Sequence, residues 1–346
     1  MSDGRARRVG VIMGGSSGER DVSLRSGEAV AAALAARGHN VVRVELPRRA
    51  EDASAAIVAA RLDVAFIALH GRMGEDGCIQ GLLELARVPY TGSGVLTSAL
   101  AMDKQKAKEL FRLHNVPTPP YYTVLASEDL SDLAHKHGSF GFPVVAKPRG
   151  EGSSLGVKRA ASLAELEEAI EEAFELDDCV IVERYVSGME VNVGILDGKV
   201  LGAIEIAPTS ASGMYDYEAK YTPGKTSYFM PARLPAARLV GVSNLAERAA
   251  AALGCTGAVR VDLLVTSGEN EYVLEVNTLP GMTETSLLPK IAASSGLDFG
   301  TLCEKILEGA RLHSTQRRSR VRSGELSTSV ARGAEIVSGL RVVKSA

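Results

Sequence analysis

The sequence predicts a multidomain protein of mixed α/β and α+β class, and three features of its patterning predict it. Over roughly the first 100 residues, strand-like apolar runs alternate with helix-like ones, the pattern of a parallel sheet covered on its faces. Between residues 143 and 186 a Gly/Ser loop separates two short strand-like runs, and one helix and a third strand follow, which reads as a small α+β unit. From residue 190 onward, four more strand-like runs and two helical ones read as a second such unit. A length of 346 residues at roughly 150 per domain allows two or three domains with real cores.

In chain order, RVGVIM (8–13) is a buried strand, GGSSGER a turn, and DVSLRSGEAVAAALAARG a helix stopped at Gly38. In that turn Ser16 or Ser17 is a candidate helix cap. VVRVEL (41–46) and VAFIAL (64–69) are further strands, the second delivering His70 into HGRMGEDG. IQGLLELARV is helical and PYTGSG a turn, closing a first domain over 1–102. Asp103 to His114 is a helix, and NVPTPPYYTV is a proline-stiffened connection. FPVVAKP, GVKRA, the helix SLAELEEAIEEAFE and VIVERYV make up a second domain over 103–189. MEVNVGIL, KVLGAIEI, a long polar loop, the helix LVGVSNLAERAAAALG, the strands AVRVDLLV and YVLEVN, and the helix FGTLCEKILEGARL make up a third over 190–313. Residues 314–346 carry seven basic and two acidic side chains without aromatics, a composition expected of a disordered tail.

Composition excludes several function classes. Lys+Arg 39 against Asp+Glu 42 gives a net charge of −3, which removes the basic field that nonspecific nucleic-acid binding requires. No run approaches the 18 or so apolar residues of a membrane span. The apolar stretch behind Arg5, Arg7 and Arg8 is too short for a secretory signal. The four cysteines, Cys78, Cys179, Cys255 and Cys303, stand singly, as reduced thiols do, and a cytoplasmic location is expected.

Two constellations carry chemistry. If Val265 pairs with Tyr272 across TSGENE, the antiparallel register sets Asp262 opposite Glu275 and Arg260 opposite Asn277, with all four on one face. Facing carboxylates repel unless a cation or proton lies between them. Oxygen ligands from Asp, Glu and Asn suit Mg²⁺ or Mn²⁺, although a solvated hairpin face has the same pattern. Asn277 runs into TLPGMTETSL, where Gly281 and several hydroxyls offer anion-binding groups. The second constellation is KPRGEGSSLG, in which a flexible loop can close over phosphate beside the point charge of Lys147. A plain surface hairpin is the alternative, and the order of lysine and glycines is not that of a Walker A loop. Glu183 and Glu190 in VIVERYVSGME are placed to hold a nucleotide's ribose or amino groups, or are polar residues at a strand end.

Taken together, GGSSGERDVSL, HGRMGEDGCIQG, MDKQKAK, KPRGEGSSLG, YDYEAKY, RVDLL and LEVNTLPGMTETSLLP resemble, in order and spacing, the D-alanine:D-alanine ligases of the ATP-grasp superfamily. The likeness runs from about residue 8 to 312. It implies an ATP-grasp fold preceded by an N-terminal parallel-sheet domain, and ATP-dependent ligation of two D-alanine molecules through an acyl phosphate. By the same resemblance Lys104, Lys147, Glu183, Glu190 and Lys220 bind ATP, with Ser153 and Ser154 over its phosphates, and Asp262, Glu275 and Asn277 hold two Mg²⁺ (or Mn²⁺) ions. Glu19, Ser153 and Tyr221 match the trio that positions the first D-alanine, with His70 lining that subsite. Arg260 and the Gly281 N–H match the oxyanion-stabilising pair, and Ser286 with Leu287 the second D-alanine's carboxylate site. A homodimer is implied as well. The alternative is another ATP-grasp carboxylate-amine ligase, or one forming D-alanyl-D-lactate or D-alanyl-D-serine. The loops at 149–156 and 209–227 are the candidate lids, and KPRGEGSS departs from commoner relatives at Arg149 and Gly150.

Overall fold

A computed structural model describes residues 7–208 and 225–314. The first sheet is built from β1 (Arg8–Gly14), β2 (Asn40–Leu46) and β3 (Val64–Ile67), in the order β2-β1-β3 and parallel throughout. Strand β1 is buried from Val9 to Gly14, as a central parallel strand covered on both faces must be. Helix α1 (Arg20–Ala36) buries Val30, Ala31 and Leu34 against it. The turn before α1 corrects one expectation: neither Ser16 nor Ser17 caps the helix. Glu19 holds the cap position without a side-chain cap bond, and Ser17 Oγ instead accepts from Glu19 N–H at 3.2 Å and donates to the His70 carbonyl at 2.7 Å. Three helices follow, α2 (Ala53–Ala60), α3 (Cys78–Ala86) and α4 (Val95–Met102).

Helix α5 (Lys104–Leu113) starts at Asp103, whose carboxylate accepts the Lys106 N–H at 3.0 Å. The proline-rich passage after it turns into β4 (Tyr121–Leu125), which with β5 (Val144–Pro148), β6 (Lys158–Ala160) and β7 (Cys179–Arg184) forms an antiparallel sheet ordered β4-β7-β5-β6. Short helix α6 (Leu133–His137) and helix α7 (Leu163–Phe174) accompany it. Helix α7 is capped by Ser162 and packs Leu166, Ala169, Ile170 and Ala173 on Val144, Ala146, Val180 and Val182.

The third sheet, also antiparallel, comprises β8 (Met189–Leu196), β9 (Lys199–Pro208), β10 (Thr226–Phe229), β11 (Ala258–Val265) and β12 (Glu271–Asn277), ordered β10-β9-β8-β11-β12. Alternation divides its faces. Val191, Val193, Val259, Val261 and Leu263 meet α8 (Ala236–Leu253). On the opposite face, Ile204 and Ile206 meet α9 (Leu287–Ser294), and Arg260, Asp262 and Glu275 stand beside that patch.

The hairpin register differs from expectation at its turn. Val265 pairs with Glu271, not Tyr272, and a bulge at the Asp262/Leu263 step leaves Leu274 without a partner. The extra residue restores the pairs Asp262 with Glu275 and Arg260 with Asn277. Helix α10 (Phe299–Glu308) ends before the expected 312, because the following chain leaves the helix to bridge Arg311 to Tyr90.

The described residues up to His313 belong to one compact unit. The expectation of a disordered tail falls on 315–346, outside the described residues. All four cysteines are free, and no helix among the described residues is long and apolar enough to cross a membrane.

Candidate active site

The hairpin of β11 and β12 centres the site. Arg260 grips Asp262 with both arms of its guanidinium, Nε to Oδ1 at 2.8 Å and Nη2 to Oδ2 at 2.9 Å, and Asn277 Nδ2 donates to Asp262 Oδ2 at 3.2 Å. Lys104 Nζ lies 3.8 Å from Glu275 Oε2. The two facing carboxylates are thus each met by a cation, the arrangement like-charge repulsion demands.

One cavity of about 350 Å³ opens between the second and third sheets, and Lys104, Lys147, Ser154, Glu183, Glu190, Asp262 and Glu275 line it. Apolar walls come from Val145, Ile206, Leu264 and Leu274, a mixture suited to a flat heterocycle at one end and anionic groups at the other. At its floor Glu183 Oε1 receives two ammoniums, Lys147 Nζ at 2.7 Å and Lys108 Nζ at 2.6 Å. Burial works to raise the Glu183 carboxyl, but the two lysines overcome it and hold it below the ordinary range. Burial pushes Lys108 down to about 8, against the pull of Glu183.

A second cavity of about 120 Å³ adjoins the first at Glu275. Glu19, His70, Ser153, Arg260, Asn277 and Gly281 line it, with Ser286 and Leu287 at the start of α9. Ser153 Oγ donates to Glu19 Oε1. His70 is buried against Ser26 Oγ, 3.1 Å from Nε2. Burial lowers its pKa, with the Glu19 charge opposing, which favours neutral imidazole at pH 7. Thr283 N–H donates to Ser286 Oγ at 3.0 Å. A Cβ on Gly281 would come within 2.7 Å of the same Ser286 oxygen, so a side chain there would push that hydroxyl from its place.

The loop 149–156 lies across both cavities. Ser153 and Ser154 adopt left-handed φ of 49° and 58°, a backbone state that costs about 1 kcal/mol or more per residue. Several hydrogen bonds tie the loop down besides that of Ser153 to Glu19. Lys104 N–H donates to the Arg149 carbonyl at 3.1 Å, Gly150 N–H to Asp177 Oδ2 at 2.8 Å, and Arg72 Nε to Glu151 Oε1 at 2.8 Å.

The structure therefore gathers Glu19, His70, Lys104, Lys147, Ser153, Ser154, Glu183, Glu190, Arg260, Asp262, Glu275, Asn277, Gly281, Ser286 and Leu287 around two adjoining cavities. Lys220 and Tyr221 lie outside the described residues, as does most of the 209–227 loop. Sequence reasoning passed over Lys108, although its place one turn after Lys104 on α5 was a usable signal. It also passed over Glu75, which burial and the neighbouring Glu19 charge push up to about 8 and which lines the smaller cavity.

The chain is similar to known proteins in both sequence and fold. The sequence matches two family models, "D-ala D-ala ligase N-terminus" over residues 47–93 and "D-ala D-ala ligase C-terminus" over residues 110–308. A D-alanine–D-alanine ligase of Anaeromyxobacter sp. (strain K) is 52% identical over 90% of this chain and 99% of its own. The chain belongs to the D-alanine:D-alanine ligase family. The ligase of Geobacter sulfurreducens is 51% identical over 89% of this chain and 95% of its own. Among solved structures, the Bacillus anthracis ligase in complex with ATP superimposes with a TM-score of 0.76 at 38% identity, covering 88% of this chain and 97% of that one. The Enterococcus faecalis VanG D-Ala:D-Ser ligase superimposes at 0.77 with 30% identity, covering 88% and 99%.

The family's divalent metal is tested by the donor set on the hairpin. Two carboxylates paired across adjacent strands, plus an amide whose nitrogen is already engaged so that its oxygen remains as a donor, form a hard oxygen set. Among the described residues no cluster of three or more His, Cys, Asp or Glu forms a metal cage.

Proposed function

We propose that this chain uses ATP to join two D-alanine molecules into D-alanyl-D-alanine, a peptidoglycan precursor, releasing ADP and phosphate. The observation that carries the reading is that the large cavity with its lysines and the small cavity with its polar subsites share one wall, Glu275. The reaction needs that adjacency, because a carboxylate must reach a γ-phosphate although both are anions.

Lys104, Lys147, Glu183 and Glu190 hold the nucleotide, joined by Lys220, with Ser153 and Ser154 closing over its phosphates. Glu19, Ser153 and Tyr221 orient the first D-alanine beside His70. Asp262, Glu275 and Asn277 fit two Mg²⁺ or Mn²⁺ ions, which supply charge neutralisation between phosphate and carboxylate when bound. The carboxylate oxygen of the first D-alanine attacks the γ-phosphorus and ADP leaves, giving D-alanyl phosphate. The second D-alanine, its carboxylate at Ser286 and the N-terminus of α9, attacks the acyl carbon through its amine. Arg260 and the Gly281 N–H stabilise the tetrahedral oxyanion, whose collapse breaks the bond from the acyl carbon to the phosphate oxygen, so that phosphate leaves and the nitrogen gives up its proton to form the amide. The loop 149–156 keeps water from the acyl phosphate. A cytoplasmic homodimer is the form in which we expect the enzyme to work.

The test is phosphate release from ATP with D-alanine as the sole amino acid, with D-serine and D-lactate offered in parallel as acceptors. We expect release with D-alanine alone, and D-alanyl-D-alanine as product. Release only when another acceptor is added contradicts the assignment.

A further inference from the structure

The floor of the large cavity holds more positive charge than its one carboxylate needs. Strands β5 and β7 place Val145 opposite Glu183, so Lys147, two residues along, is the diagonal neighbour of Glu183 on the same face. Strand β4 adds Tyr121 opposite Glu183. From the other side α5 sends in Lys108, which has no solvent-exposed surface, donates to Thr118 Oγ1 at 2.5 Å and lies 5.5 Å from the centre of the Tyr121 ring. Both ammoniums sit on the same oxygen, Glu183 Oε1, at 2.6 and 2.7 Å.

The two lysines are not equivalent. Lys147 lines the cavity, whereas Lys108 lies beneath its floor and does not. A carboxylate needs one counter-ion, so one of the two cations is surplus, and only Lys147 can turn to a ligand. If Lys147 were the sole partner, moving it to a phosphate would strand a buried carboxylate, among the most costly rearrangements a protein interior offers. With Lys108 in place, no buried charge is orphaned when Lys147 leaves.

We infer that Lys108 is the standing counter-ion of Glu183 and thereby a positioning residue that releases Lys147 to the triphosphate of the bound nucleotide. Lys108 never touches the nucleotide; it acts on it through Glu183. The inference rests on the nucleotide reading of this cavity and adds to it a residue that controls nucleotide affinity.

The experiment measures the ATP dissociation constant by calorimetry, and the KM for ATP and for D-alanine, in the full chain and in three variants, Lys108→Met, Glu183→Gln and Lys108→Met/Glu183→Gln. Lys108→Met is expected to weaken ATP binding by about tenfold or more, the scale seen when one partner of a buried charge pair is removed. Its KM for D-alanine is expected to stay unchanged. Glu183 itself faces the nucleotide, so the double variant is compared with Glu183→Gln alone: with no carboxylate to hold Lys147 back, adding Lys108→Met is expected to change ATP affinity by less than about threefold. A lysine that merely fills space would cost the same with or without Glu183. ATP binding by Lys108→Met at the parent's strength, or an equal loss from Lys108→Met in both backgrounds, overturns the inference. If Lys108→Met does not fold, the pair Glu183→Gln and Lys108→Met/Glu183→Gln decides, and a loss of about tenfold or more between those two overturns the inference. Failure of the parent to bind ATP overturns the nucleotide reading itself, whereas failure confined to the variants leaves that reading standing.

Discussion

At the scale of single residues, the site is a set of charges whose neighbours decide their state. Glu75 shows this most plainly. Burial, with the Glu19 carboxylate nearby, raises its carboxyl from the ordinary 4.5 to about 8, so the folded protein holds this proton more tightly than the unfolded chain does. The resulting stability is fully present below about 4.5 and is lost as pH rises through 8, at up to about 1.4 kcal/mol per pH unit. Glu75→Gln mimics the protonated form at every pH. Urea denaturation at pH 5 and pH 8 should therefore show a smaller drop in stability for the variant than for the parent, and equal drops would refute the account of Glu75. Residues of this kind were legible in unequal measure. The row of Arg260, Asp262, Glu275 and Asn277 could be read from alternation alone, because two-residue periodicity puts them on one face. Even the misjudged turn was harmless there, since the bulge shifts register only beyond Asp262. Lys108 left only its spacing from Lys104 as a signal, and Glu75 left none, because the character of both comes from burial among groups distant in the chain, and sequence spacing carries no record of burial.

At the scale of elements, caps and glycines set where side chains arrive. Helix α5 carries both Lys104 and Lys108, and Asp103 anchors its first turn through the Lys106 N–H. Asp103 Oδ2 also lies 3.8 Å from Arg149 Nε at the start of the loop 149–156. Asp103→Ala should lower stability by about 1 kcal/mol, the usual value of a lost cap, and weaken ATP binding by loosening Lys104. Urea titration and calorimetry on the same variant check both, and a stability loss with unchanged ATP affinity would show that the cap serves the helix alone. Strong period signals such as those of α1 and α7 made those elements readable. Helix α2 was missed because AAIVAA is apolar without a polar face to give it a phase, and α4 because PYTGSG drew attention as a turn just before it. Strand β4 was read as a stiff connection because Pro117, Pro119 and Pro120 precede it, although proline limits only the residues at and before it.

At the scale of the whole molecule, the first sheet and the third are joined by shared apolar packing. Val9, Phe66 and Ala68 cluster with Met282, Leu288, Ala292, Leu302 and Ile306. Backbone meets backbone where Gly257 stands at φ +72°, so close that a Cβ on it would lie 2.9 Å from Gly92 Cα. That packing brings Glu19 and His70, which leave the first sheet, up to Arg260 and Gly281 of the third region. The fold class was legible because strand and helix alternate so regularly, but the joining was not, since the residues that touch lie at opposite ends of the chain. The central claim follows from it: one carboxylate-lined wall serves both a nucleotide and an amino acid, so the amino acid's own carboxylate is phosphorylated. The most direct measurement uses D-alanine labelled with ¹⁸O in its carboxylate, together with ATP and Mg²⁺, and reads the released phosphate by mass spectrometry. The account predicts phosphate carrying one ¹⁸O, taken from the carboxylate when the second amine displaces it. Phosphate without label, alongside labelled dipeptide, would contradict it.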